Sequence, residues 1–162
     1  PSESALRAVL SSVETRLRDL PAPGEEYGLI HYDCESDNLV WKDGRCGIVD
    51  FDDAAYYWYV ADIAHALRDF VPDHVEPLSL DYPGVDAFLA GYRSAGPLDD
   101  AQLGLVPLFR LAHDLVAIAR LRRSLEEGPL PDEPEWTARL RSKLVGALDR
   151  LCERVAGFES GS

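Results

Sequence analysis

The chain is 162 residues long, 46% hydrophobic and formally −13 at neutral pH, with 29 acidic residues against 16 basic ones. That charge opposes a polyphosphate partner and argues against nucleic-acid binding, and the lack of an uninterrupted apolar run of about 18 residues argues against a membrane span. The charged, amphipathic opening PSESALRAVLSSVETRLRDL does not read as a signal peptide, so the expectation is one cytoplasmic domain, 1–162, with enough chain for a real core.

Residues 5–20 set Leu6, Val9, Leu10, Val13, Leu17 and Leu20 at three- and four-residue steps, which predicts a helix capped by Ser2 or Ser4 and stopped by PAPGEE. Residues 28–31 read as a short buried strand, 39–41 as a second and 46–51 as a third, with KDGR joining the last two through the Asp-Gly turn of a hairpin. After that the β signal disappears. Residues 58–70 read as a helix, 71–83 as a proline-containing connection, and 85–92 as a helix ending near Gly96-Pro97. A long helix over about 99–125, with Pro107 as the point where it can break, turns Leu111, Leu115, Ile118 and Leu121 to the core. The last, over about 134–155, lines Trp136, Leu140, Leu144, Leu148, Leu151 and Val155 along one face. Cys34, Cys46 and Cys152 form no C-x-x-C pair and predict buried thiols in a reducing compartment. Arg120, Arg122 and Arg123 read as the cationic end of a helix. The predicted class is α+β, mainly α, with one small β-hairpin.

The stretch GLIHYDCESDNLVWKDGRCGIVDFDDA, residues 28–54, holds six Asp and one Glu among apolar strand residues. Its pattern H-x-D-x-x-x-x-N is met by His31, Asp33 and Asn38, and twelve residues after Asn38 come Asp50, Phe51 and Asp52. A hairpin between them brings Asn38, at the start of one strand, near Asp50, at the end of its partner. Phosphoryl transfer needs a carboxylate to orient and accept the proton of an attacking hydroxyl, and oxygen ligands to hold Mg²⁺ against the triphosphate of ATP. Asp33, Asn38 and Asp50 meet these needs in order. From His31 to Phe70 nine acidic residues face three basic ones, a local formal charge of −6 that a bound Mg²⁺ relieves.

On IHYDCESDNLVW, GIVDFDDA and YVADIAHAL, and more loosely on the flanking helices, the chain resembles the aminoglycoside phosphotransferase and choline kinase-like family, which shares the protein-kinase fold. The resemblance implies the helical C-terminal lobe of that fold, with the hairpin carrying the catalytic and metal-binding loops. It implies Asp33 as catalytic base, Asn38 and Asp50 as nucleotide and metal ligands, and His31 as a structural member of the catalytic loop. Asp62 would be the buried acid that braces the loop, and Asp52 stands between a supporting place behind the metal and a solvated turn. The chain departs from the family at Tyr32, where a small residue, often Gly, is usual, and at CESDN, where the common run is L-H-x-G-N. Upstream there is no Gly-rich phosphate loop and no V-A-I-K lysine, the only lysines being Lys42 and Lys143. The expectation is therefore a phosphotransferase lobe whose N-terminal, ATP-covering lobe is absent. It would transfer to a hydroxyl of a small molecule only with that lobe, and its exposed docking surface would favour self-association or partner capture.

Two other readings use the same residues. A non-catalytic interaction module would keep the helical lobe, and a metal-dependent phosphoesterase would use Asp50, Asp52 and His65 to activate water. Taken singly, Asp33 and Asn38 also fit loop caps, His65 a core or helix-surface histidine, Asp53, Asp114 and Glu126 solvated acids, and the aromatic run 56–59 packing onto the lobe. Cys34 lacks a partner that would stabilise a thiolate.

Overall fold

A computed structural model describes residues 2–21, 24–71, 81–126, 128–129 and 133–158. The chain divides into two compact units, one of residues 21–110 and one of residues 1–20 with 111–162.

In the unit of residues 21–110, strand β1 (Tyr27–Ile30) pairs antiparallel with β4 (Ala55–Trp58), so that Leu29 faces Tyr56. A β4 strand corrects the expectation that β structure ends at the hairpin. Its ladder partner lies 25 to 31 residues away along the chain, beyond the reach of local periodicity. Within it Trp58 meets Tyr27 edge-on with ring centres 5.1 Å apart, and both Tyr57 and Trp58 pack on Phe109. The hairpin of β2 (Leu39–Lys42) and β3 (Arg45–Ile48) turns through Asp43 (φ 50°) and Gly44 (φ 74°), the pair of left-handed residues a two-residue hairpin turn needs. Gly28 lies against the hydroxyl end of the Tyr59 side chain, which a Cβ there would run into.

Helix α2 (Tyr59–Ala66) tightens into a 3₁₀ turn over Leu67–Asp69 and buries Val60, Ile63, Ala64 and Leu67. Most of the predicted connection after it, residues 72–80, lies outside the described residues. Helix α3 (Val85–Ala95) follows. The long predicted helix is two: α4 (Asp100–Leu103), closed by a capping box between Asp99 and Gln102, and α5 (Val106–Glu126). The break precedes Pro107, which sits in the first turn of α5, where its missing N–H would have had no partner.

Residues 100–126 contain the one stretch, among the described residues, long and apolar enough to cross a membrane, which corrects the expectation of none. It carries Arg110 and Asp114, both buried, beside the buried Val106, Leu108 and Phe109, the pattern of a core helix.

In the other unit, α1 (Glu3–Arg18) is capped by the Ser2 hydroxyl, which accepts from the Ala5 N–H, and it packs Leu6, Val9 and Val13 inward beside α6 (Glu135–Phe158). Asp114, expected to be solvated, is 3% exposed and takes Arg154 through two bonds of 2.7 and 2.8 Å. The apolar face of α6 is buried only toward its C-terminal half: Val155 is fully covered, but Trp136 and Leu140 are exposed. The thiols also divide, with Cys152 buried, Cys34 half-buried and Cys46 exposed, so the expectation of buried thiols holds for Cys152 alone.

Candidate active site

The loop between β1 and β2 is held by one helix. Tyr32 adopts φ 66°, and the turn it makes lets two successive N–H groups, of His31 and Tyr32, converge on the Asp62 carboxylate at 2.8 and 2.7 Å. Two turns further along, Asp69 accepts the Ser36 N–H at 2.6 Å. Between these two acids His65, 4% exposed, sets Nε2 3.0 Å from Asp33 Oδ1. Asp62, His65 and Asp69 recur at three- and four-residue steps, so a single helix face carries all three.

On its other side the loop is tied to the hairpin. Buried His31 places Nε2 2.8 Å from the Val49 carbonyl, to which it donates, and packs edge-on against Phe51. The Asn38 carbonyl accepts the Val49 N–H at 3.0 Å. These two bonds fasten the end of β3, so Asp50, at φ 62° and exposed, follows a residue pinned to both His31 and Asn38. Asn38 Nδ2 donates to the Asp33 carbonyl at 2.9 Å and to Asp33 Oδ2 at 3.1 Å. With its nitrogen so engaged, the Asn38 amide keeps its oxygen as an acceptor. That oxygen and the Asp50 carboxylate are hard donors of the kind a divalent cation takes. Asp52 is exposed in the turn that follows.

Charge and burial tune the neighbours. Burial first, and then the Arg68 guanidinium, whose Nη1 lies 2.9 Å from His65 Nε2, hold His65 below its ordinary value against the pull of Asp33, Asp62 and Asp69. Burial and the Asp33 charge push Glu35 up, and burial with the Asp62 charge pushes the Cys34 thiol up, away from thiolate chemistry. Tyr57 is pushed up to about 12, chiefly by burial. Asp33, Glu35 and His65 each bring one ligand-type atom within 4.8 Å of the others, and this is the group of metal-ligand type among the described residues. The phosphoesterase set of Asp50, Asp52 and His65 is not assembled, because α2 turns His65 to Asp33 instead.

His65, read from the sequence as a core or helix-surface histidine or as a phosphoesterase ligand beside Asp50 and Asp52, is instead the partner of Asp33, a pairing that the sequence did not reveal. Its spacing of three from Asp62 places it on the bracing face of α2, a signal readable once Asp62 is taken as the brace.

A helical lobe with a short antiparallel ribbon and a loop clasped between helix and hairpin is the architecture of a kinase-like phosphotransferase. The chain belongs to the phosphotransferase enzyme family, whose model matches residues 2–98. Over 110 residues it is 34% identical to the amicoumacin kinase of Bacillus subtilis (strain 168), a match that covers 65% of this chain and 33% of that protein. It is 32% identical over 120 residues to an uncharacterized protein of Deinococcus radiodurans, covering 68% of this chain and 32% of the other. Among solved structures it superposes on amicoumacin kinase hAmiN in complex with AMP-PNP, Ca²⁺ and Ami (TM-score 0.72, 23% identity, 97% of this chain and 46% of that one). It also superposes on a microcompartment-associated aminopropanol kinase (TM-score 0.67, 22% identity, 97% and 45%). At those identities the superpositions establish the fold. The chain spans about a third of the length of these curated relatives.

Proposed function

We propose that this chain is the catalytic-loop lobe of an ATP-dependent kinase that phosphorylates a hydroxyl of a small molecule. The observation that carries the proposal is the hold of Asn38 on the Asp33 carboxylate, with the Asn38–Val49 backbone bond tying the residue before Asp50 to the same loop. Asp33 accepts the hydrogen bond of the acceptor hydroxyl and takes its proton as that oxygen bonds to the γ-phosphorus and the bridging P–O bond to ADP breaks. Asn38 Oδ1 and Asp50 would hold Mg²⁺, which neutralises charge on the phosphate oxygens. His31 and Asp62 keep the loop in place without touching substrate.

The acidic surroundings, Glu35, Asp37, Asp52 and Asp53, suit an acceptor that carries positive charge, such as an aminoglycoside, a choline-like amine or an amino alcohol. ATP as donor makes the cytoplasm the place of reaction. Transfer would need a further lobe, since the 162 residues contain neither a Gly-rich phosphate loop nor a strand lysine. Leu29 and Tyr56, cross-strand partners 61% and 72% exposed, and the exposed Trp41 offer apolar surface to that lobe or to a second copy.

The test is transfer from labelled ATP to a panel of amino alcohols and aminoglycosides by a full-length protein containing this chain, beside its Asp33→Asn variant and the chain alone. Transfer is expected from the first only, with ATP binding kept in Asp33→Asn. A full-rate Asp33→Asn protein overturns the mechanism, and robust transfer by the chain alone overturns the need for a second lobe.

A further inference from the structure

The chemistry just described uses Asp33 and leaves its closest buried neighbour without a task. His65 Nε2 lies 3.0 Å from Asp33 Oδ1, while Asn38 Nδ2 lies 3.1 Å from Asp33 Oδ2. The carboxylate torsion of an aspartate is soft and swings readily, and two donors on opposite oxygens stop it from doing so. Each oxygen has two lone pairs, so both bonds leave room for a substrate hydroxyl. We propose that His65 is a positioning residue for phosphoryl transfer, its imidazole locking the Asp33 carboxylate in the orientation from which it takes the acceptor proton. The kinetic consequence, though not the contact itself, rests on Asp33 being the base.

The surroundings keep the ring in the form this task needs. Nε2 cannot donate to Asp33 and accept from Arg68 at once. A carboxylate offers only lone pairs, whereas Arg68 has five N–H groups on a long stem, so the tautomer with hydrogen on Nε2 suits Asp33 and requires the Arg68 N–H that lies 2.9 Å from Nε2 to turn aside. Burial and the Arg68 cation keep the ring neutral, with Asp33, Asp62 and Asp69 pulling the other way. Neutrality matters, because an imidazolium beside Asp33 would favour its ionised form and blunt it as a base, whereas a neutral N–H orients it with a smaller loss of basicity.

Two measurements test this. In the chain itself, nitrogen-15 imidazole spectra, assigned by loss of the signal in His65→Gln, should show His65 neutral at pH 7 with hydrogen on Nε2, and its titration midpoint should fall further in Asp33→Asn. A midpoint that Asp33→Asn leaves unmoved overturns the pairing whatever the enzyme does. In the full-length kinase, His65→Ala should cut kcat about tenfold or more at unchanged KM for ATP, and His65→Gln, which returns an amide N–H near the lost Nε2, should restore part of it. A wild-type kcat and pH profile in a folded His65→Ala protein overturns the positioning role. A wild-type protein that phosphorylates nothing would instead overturn the kinase reading, and the spectra would still decide the pairing.

Discussion

Truncating Asp62 isolates the brace from the chemistry. Asp62→Ala removes one carboxylate and strands two donors, the N–H groups of His31 and Tyr32, which it holds at 2.8 and 2.7 Å in a half-buried setting. A hydrogen bond to a charged acceptor contributes about 1.5–3 kcal/mol. Since the loop is half-buried, water can reach one of the two donors, so the expected loss is about 2–4 kcal/mol. The loss is local before it is global, because Tyr32 at φ 66° has a strained backbone that the bond to Asp62 maintains. Native-state hydrogen exchange reads it residue by residue: the His31 and Tyr32 amides should exchange about 30- to 900-fold faster, while amides of the β2–β3 hairpin turn change little. Urea melts followed by tryptophan fluorescence give the global part. Unchanged exchange at both amides, in a variant that still folds, would refute the assignment of Asp62 as the loop's anchor.

Asp50→Ala should abolish nucleotide-dependent uptake of a divalent cation by the full-length protein, read by calorimetry with a non-hydrolysable ATP analogue, while the exposed position limits the loss of stability to the ~1 kcal/mol by which alanine fits φ 62° less well than aspartate. Tyr32→Val should be about 1–2 kcal/mol less stable than Tyr32→Gly in denaturant melts, because a β-branched side chain fits φ 66° poorly and glycine fits it freely. His65 has a folded value below its ordinary 6.5, so the unfolded chain binds the proton first. Its contribution is therefore complete above pH 6.5 and is lost as pH falls from there through the lowered folded value. Melts from pH 7.5 to 5 should show this decline, and His65→Gln should flatten it. Glu35, raised above its ordinary value, works in the opposite sense at lower pH, so the comparison is cleanest in a Glu35→Gln background.

What the sequence made legible was what short range determines. KDGR announced its hairpin because Asp-Gly at a two-residue turn leaves few alternatives, and Ser2 announced α1 because the cap is written in the next three residues. The pattern from His31 to Asp50 was legible because the hairpin converts a sequence interval into adjacency. Strand β4 escaped notice because AYYW becomes a strand only when Tyr27–Ile30 supplies its ladder. Asp114 read as solvated because its partner Arg154 lies 40 residues away, and His65 read as a core or helix-surface histidine because its partner Asp33 is 32 residues back. In each case a polar or aromatic residue took its meaning from a distant segment.

The clasp of α2 on the loop also makes the site sensitive to phase. Asp62, His65 and Asp69 meet their three targets, the 31–32 amides, the Asp33 carboxylate and the Ser36 amide, because the helix presents them in one angular sector. A substitution at one of them removes only that residue's own contacts, two for Asp62 and one each toward the loop for His65 and Asp69. A single residue inserted between Asp62 and His65 would rotate everything beyond it by about 100°, carrying His65 and Asp69 off the loop together while leaving composition, charge and helix length almost untouched. Length change within α2 is thus forbidden by rotation rather than by volume, and descendants of this sequence should vary in that helix where it faces neither the loop nor the core, but hardly at all in the number of its residues.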